Sequence, residues 1–247
     1  MSTITDISTA RRKERGRYEI RNAAEKVAEL WIYDEISAFW GVDAGEFNRD
    51  LAKITAPTIK LRLNSPGGDV HAGIAIYNAL RRHPSRVVTY VDGIAASIAS
   101  VVALAGDEVI MPSNTFMMIH NASAFAGGDA RALREAADIL EKHSETIRAI
   151  YVERTGKTEA EIQDLMDAET WMTAQEALDL GFADTVADEA LAAAACADLT
   201  GFGFRHVPAD LAARAEPAAA AAPLTDDGLR QMAADWGAHQ ARTRLLR

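Results

Sequence analysis

Two stretches of this chain repeat one pattern, and that pattern limits the fold more than any other feature. In the first, Ile59-Lys60-Leu61-Arg62-Leu63 has the length and composition of a strand, Asn64-Ser65-Pro66-Gly67-Gly68 is a turn signal, and Val70, Ile74, Tyr77 and Leu80 recur at helical spacing until His83-Pro84. In the second, Arg86 to Val91 reads as a buried strand, Asp92-Gly93 as a turn, and Ser97 to Ala105 as a helix of small residues. Strands alternating with helices require crossover connections, so the chain is expected to be an α/β protein with a largely parallel sheet. Further strands are expected at Leu30-Trp31-Ile32-Tyr33, at Glu108 to Met111 and at Phe116 to Ile119, the last ending on His120.

The boundaries follow from where the patterns stop. Residues 1–17 are polar, with the basic run Arg-Arg-Lys-Glu-Arg-Gly-Arg at 11–17, and read as a flexible arm. No apolar signal core follows that run. Residues 18–187 hold the periodic segments, including Asp129 to about Thr155, where Leu133, Ala137, Leu140, Ile147 and Tyr151 mark one face of a long amphipathic helix closed by Gly156. Shorter helical patterns occupy 159–167 and 174–180. From 188 to 247 the composition shifts to alanine, with a linker around Glu216-Pro217 and a last segment in which Leu229, Met232, Ala233 and Trp236 share a helical face.

Composition excludes several classes of function. A formal net charge of −10 argues against broad nucleic-acid binding, which rewards clustered Lys and Arg. Asp92, Asp107 and Glu108 interrupt the long apolar stretch at 86–111, so no membrane span is expected. The single cysteine, Cys196, forbids an intrachain disulfide and a multi-cysteine zinc site, in keeping with a reducing cytoplasm. No P-loop ending in Gly-Lys-Ser/Thr is present, and Gly67-Gly68 lacks the spacing of a dinucleotide fingerprint. Neither a cofactor nor a metal is expected.

What remains is the chemistry of a hydroxyl. Ser97 lies where a strand passes into a helix among side chains so small that the backbone is nearly bare, a setting that suits a nucleophile with a base and amides beside it. His120 ends a strand, and in parallel α/β sheets the C-terminal strand ends carry the site, so both groups are expected on one edge. His71, in the first turn after the glycine pair, stands as a competing base. His83, His143, His206 and His239 fall on helix ends, a helix or the tail. Gly67-Gly68, with Pro66 before it and a helix after it, offers unobstructed amides near the positive end of a helix dipole, and the Ile98 amide next to Ser97 is a candidate partner. A carboxylate should fix the imidazole tautomer. Asp164, Asp167 and Glu169 all qualify on residue type and position.

These residues resemble the proteolytic subunit of the Clp protease and, more closely, the related head maturation proteases of tailed phages. The pieces that carry the resemblance are Asn64-Ser65-Pro66-Gly67-Gly68 with Ala72-Gly73 and Ile76-Tyr77, Gly93-Ile94-Ala95-Ala96-Ser97, Met118-Ile119-His120, and Thr173-Ala174-Gln175-Glu176-Ala177 before Gly181 and Asp184, between about Leu30 and Asp184. The resemblance implies a ClpP/crotonase-like spiral of βαβ units with a long handle helix at 129–155. It implies Ser97 as nucleophile, His120 as general base, and Gly68 and Ile98 as the oxyanion hole. It also implies subunits assembled into a homo-oligomeric ring that encloses the active sites.

Aligning Trp171-Met172-Thr173-Ala174 with the family's aromatic-apolar-Ser-Ala stretch puts Glu169 where the cellular enzymes carry an aspartate. Glu169 is therefore the favoured third member and Asp167 the alternative. Asn121-Ala122-Ser123 replaces the usual Gln-Pro after the base, and residues 1–17 do not match the family's axial-pore segment. The expected activity is a serine endopeptidase acting on protein or peptide substrates in the cytoplasm, that of the host if the chain is phage-encoded. An ATPase unfoldase or phage capsid and scaffold proteins are the partners such a subunit would have. The alternatives are a crotonase-like acyl-CoA enzyme, which needs no covalent serine, and a catalytically silent scaffold subunit.

Overall fold

The computed structural model describes residues 18–21, 26–38, 41–187, 199, 202–209 and 211, all within the unit Met1–Glu216. The arm at 1–17, Cys196, the linker near 216 and the last helical pattern lie outside the described residues.

The sheet is built from β1 (Tyr18–Arg21), β2 (Val27–Ile32), β3 (Thr58–Ser65), β4 (Arg86–Ala96), β5 (Glu108–Pro112), β6 (Phe116–Ile119), β7 (Thr170–Thr173) and β8 (Thr185–Ala187). The helices are α1 (Ala44–Leu51), α2 (Val70–Arg82), α3 (Ile98–Ala103), α4 (Ala130–Thr155), α5 (Glu159–Asp167) and α6 (Ala174–Asp179). Strands β2, β3, β4, β5 and β8 run parallel, as crossover connections demand, and β1 adds antiparallel to β2. The expected α/β class is the observed one.

The expected turn at Asp92-Gly93 is absent: β4 runs straight through to Ala96. Two interactions replace the turn. Asp92, buried, accepts from the Tyr33 hydroxyl and, at 2.6 Å, from Arg62 Nε, so a charged side chain sits inside a strand without being left unpaired. Two residues on, where the β3–β4 register shifts between Leu63 and Ser65, the Asn64 side chain accepts the Ile94 N–H at 3.2 Å. The length of β4 lets it serve two partners. Its first half, Val88 to Tyr90, pairs with β5, and its last residues, Ile94 to Ala96, pair with β6. Strand β6 then pairs antiparallel with β7, from Phe116↔Thr173 to Ile119↔Thr170. The sheet therefore forks, and Ser97 and His120 leave it from adjacent strand ends.

The core lies between the sheet and its helices. Alternate residues of β2 and β3, Leu30 and Ile32, Ile59, Leu61 and Leu63, are fully buried with Ile76 and Leu80 of α2 and Val101 and Val102 of α3. A second, smaller cluster joins Ile94, Ala96, Phe116 and Met118 to Leu199 and Leu211, with Trp171, Phe204 and Val207 packed against it. Leu199, Phe204, Val207 and Leu211, within the alanine-rich extension, therefore pack on the β4–β6 fork. Helix α4 starts on an Asp129 cap and ends at Gly156; Ser144, Ile147 and Tyr151 are its buried residues, while Leu133 and Ile139 near its start are half exposed.

Candidate active site

Ser97 is the cap residue of α3, with φ 54° and ψ −130°. Positive φ is rare for a residue with a Cβ and is held only where neighbours dictate it. Here the Ser97 N–H donates to the Met118 carbonyl at 3.0 Å, and the Ser97 carbonyl accepts from the Ser100 hydroxyl at 2.6 Å and the Ser100 N–H at 3.0 Å. The Ser100 oxygen in turn lies 2.7 Å from the hydroxyl of buried Tyr151. Since the Ser100 hydrogen is used on Ser97, Tyr151 is the donor. Burial pushes the Tyr151 phenol well above its ordinary value, so it keeps its proton.

The outcome of this backbone turn is that Ser97 Oγ points at His120, with Oγ to Nε2 at 2.8 Å. Burial holds the His120 imidazole below its ordinary value; Glu169 pulls it up and Arg205 pushes it down. A neutral ring is therefore available to take a proton near pH 7. The Phe204 ring stands edge-on to it at 5.6 Å.

Gly67 and Gly68 complete the other side. Both have positive φ, 99° and 140°. A Cβ on Gly67 would stand 2.7 Å from Ser97 Cβ and 3.2 Å from the Ile98 nitrogen, so the loop passes directly against the serine. A Cβ on Gly68 would collide with the Ile36 carbonyl oxygen, because the Gly67 carbonyl and the Asp69 N–H are both hydrogen-bonded to Ile36, each at 2.7 Å. The loop is thus strapped to the chain after β2, and the Gly68 and Ile98 amides meet no protein acceptor among the described residues. Such amides can hold a developing oxyanion.

The acids are arranged differently from what the sequence suggests. The β6–β7 pairing ends at Ile119↔Thr170, and the residues just outside it are His120 and Glu169, the other non-glycine residue with positive φ, at 51°. Its carboxylate, nevertheless, is turned to the segment after residue 200. Glu169 Oε1 accepts the backbone N–H groups of Arg205 at 2.6 Å and His206 at 2.8 Å, with Trp171 Nε1 at 3.4 Å; Arg205 Nε approaches Oε2 at 3.5 Å. No hydrogen bond joins Glu169 to His120 among the described residues. Burial works against the Glu169 charge, and the His206 and Arg205 amides outweigh it, holding the carboxyl below its ordinary range. Asp167 is exposed and accepts from Asn121 Nδ2 and Gln163 Nε2, both at 2.6 Å, so it ties down the residue after His120 without reaching the ring. Asp164 is exposed on α5.

His71 stands edge-on to His143 at 4.7 Å, paired with α4. Ser100, Tyr151, Phe204 and Arg205 were invisible as site residues in the sequence, since each reads there as core, helix face or tail. Among the described residues no group of three or more His, Cys, Asp or Glu is placed to hold a metal, and no helix is long and apolar enough to cross a membrane.

The Clp protease family model matches residues 51–190. The ATP-dependent Clp protease proteolytic subunit 1 of Leifsonia xyli subsp. xyli is 37% identical over 169 residues, which are 66% of this chain and 84% of that protein. Subunit 3 of Streptomyces coelicolor is 40% identical over 131 residues, 52% of this chain and 60% of the relative. Among solved structures, a ClpP1 point mutant from Listeria monocytogenes superposes with a TM-score of 0.56 at 24% identity, covering 65% of this chain and 91% of that one, a likeness of fold.

Proposed function

Because this chain belongs to the Clp protease family and is a ClpP-like serine-type endopeptidase, we propose that its chemistry runs through Ser97 and His120. The observation that carries this reading is the 2.8 Å approach of Ser97 Oγ to His120 Nε2 at the fork of the sheet. Family membership also selects the peptidase over the acyl-CoA alternative.

In the proposed reaction Ser97 Oγ attacks the scissile carbonyl carbon as His120 Nε2 takes the hydroxyl proton. The carbonyl oxygen becomes an oxyanion received by the Gly68 and Ile98 N–H groups. Collapse of the tetrahedral species breaks the C–N bond, His120 returns the proton to the leaving amine, and water then releases the acyl group from Ser97 by the same steps. Glu169 is the acid whose register fits the His120 Nδ1–H; Asp167 is not at the ring.

The narrower readings are also proposals. A homo-oligomeric ring is supported by the half-exposed Leu133 and Ile139 on α4. An ATPase unfoldase as partner and a cytosolic place of work rest on the relatives, which are bacterial proteolytic subunits with "ATP-dependent" in their names. Phage head maturation rests on the motif resemblance alone.

The decisive experiment is active-site labelling with a fluorophosphonate, combined with mass photometry of the same sample. Wild type is expected to label at Ser97 and to hydrolyse peptides, and Ser97→Ala is expected to do neither while keeping its fold and assembly. Peptide hydrolysis by Ser97→Ala at the wild-type rate would remove the assignment.

A further inference from the structure

The segment after residue 200 does more than cover the β4–β6 fork: it holds the acid of the site. His120 and Glu169 are the residues just outside the last β6–β7 pair and the Glu169 charge acts on the ring, yet Oε1 of Glu169 carries two short bonds from the Arg205 and His206 amides. Arg205 adds its guanidinium to Oε2 at 3.5 Å and reaches the Asp167 carbonyl at 3.4 Å. His206 Nδ1 lies 3.1 Å from the Ala168 carbonyl, so Arg205 and His206 together contact the three successive residues Asp167, Ala168 and Glu169. Phe204 stands edge-on to His120 and to Trp171, each at 5.6 Å. Leu199 and Leu211, both buried, anchor the two ends of the segment in the cluster with Ile94, Ala96, Phe116 and Met118.

We propose that residues 204–206 form an intramolecular clip that takes the Glu169 carboxylate onto its own backbone amides and withholds it from His120, so that undocking the clip completes the Ser97-His120-Glu169 triad. The inference rests on the hydrolase reading of Ser97 and deepens it by naming how the site is held in reserve. Charge points the same way. The charged groups facing His120 are Glu169 and Arg205, with opposite effects on the ring, and the clip sets the cation against the acid. A docked clip therefore leaves an imidazole with no carboxylate to fix its Nδ1–H tautomer, and with a nearby positive charge opposing the imidazolium that forms in the transition state. Undocking removes the ring contact and the cation, and frees a carboxylate whose charge already acts on the ring.

The clip acts through backbone N–H groups, so proline is the informative substitution: Arg205→Pro deletes the N–H that donates at 2.6 Å, whereas Arg205→Ala keeps it. Phe204→Ala, which removes the ring contacts with His120 and Trp171 and leaves both amides intact, is the second variant should proline disturb the fold. Two readouts are taken on the full chain. One is the rate of Ser97 labelling by a fluorophosphonate. The other is the His120 ring titration followed by NMR, which needs no turnover. Arg205→Pro and Phe204→Ala are expected to label at least about tenfold faster than wild type, a modest share of the loss seen when a triad acid is disabled, with a smaller gain for Arg205→Ala. In the same variants the His120 titration is expected to move up as Glu169 engages the ring. An unmoved His120 titration, or labelling that is unchanged or slower with a folded protein, overturns the clip and makes the segment a plain structural cover. A raised titration with no labelling in wild type or any variant keeps the clip and overturns the hydrolase reading instead.

Discussion

Ser97 sits in a backbone conformation that costs a non-glycine residue roughly 1–3 kcal/mol, and the neighbours that hold it there also make it useful. The positive φ swings Oγ out of α3 toward His120 and leaves the Ile98 N–H facing the same side as the Gly67-Gly68 loop. Because that loop passes against the serine with no room for a Cβ, the glycine is a requirement of the site as well as of the turn. Gly67→Ala brings a methyl to 2.7 Å from both Ser97 Cβ and the Ala96 carbonyl oxygen at φ 99°. The variant is expected to lose roughly 1–3 kcal/mol of stability, read from urea denaturation. Its Ser97 labelling should fall by roughly 10²–10³, the usual effect of displacing one oxyanion donor. Labelling at the wild-type rate in a folded Gly67→Ala protein would show that the loop does not serve the serine.

At the scale of elements, α4 reaches the nucleophile's turn through the Tyr151 hydroxyl. The Tyr151 hydroxyl donates to Ser100 Oγ, which donates to the Ser97 carbonyl, so the handle helix supports the strained turn from beneath. Tyr151→Phe keeps the ring packed against Phe182 and removes only that donor. It should cost about 0.5–1.5 kcal/mol, lowering the melting temperature by roughly 2–4 °C per kcal/mol, and should slow Ser97 labelling by less than about tenfold; an unchanged melting temperature would show that the relay contributes nothing. That relay also shows what the sequence could and could not disclose. Periodicity identified Tyr151 as apolar face and Ser97 to Ala105 as helix, and both statements hold, yet helical spacing carries no information about a hydroxyl reaching across 51 residues. The five strands read from apolar runs are present, because alternating burial in β2 and most of β3 and continuous burial in β6 both leave a plain signal. Short β1, β7 and β8 and helix α1 were missed, since three or four residues, or one amphipathic stretch between turns, give too little period to read. Asp92-Gly93 misled for a different reason. Turn chemistry was judged locally, whereas Arg62 and Tyr33 supply from other strands the partners that keep an aspartate inside β4.

Over the whole molecule, the two functional edges of the fork are closed by chain that is distant in sequence. Residues 204–206 return to bind Glu169 across 36 and 37 positions, and the hydrophobic cluster under them joins β4 and β6 to Leu199 and Leu211. Alanine-rich composition hides this, because one Phe, one Arg and two leucines are enough to dock a short segment where an acceptor carboxylate and an apolar cluster are already in place. The docking carries a pH signature. Glu169 is held below its ordinary value in the fold, so its contribution to stability is present in full above the pKa of an unfolded glutamate and is lost as pH falls through the lower, folded one. Acidification through that window should therefore weaken the protein, with the protons taken up on unfolding measuring the effect. Glu169→Gln keeps an acceptor oxygen for the Arg205 and His206 amides but removes the charge. It is expected to cost roughly 1.5–3 kcal/mol at neutral pH, the range for hydrogen bonds to a charged group, and to flatten the acid-side slope of stability against pH measured by urea denaturation. A slope equal to that of wild type would mean that the carboxylate carries no charge-dependent share of the fold, and that other acids account for whatever acid sensitivity is seen.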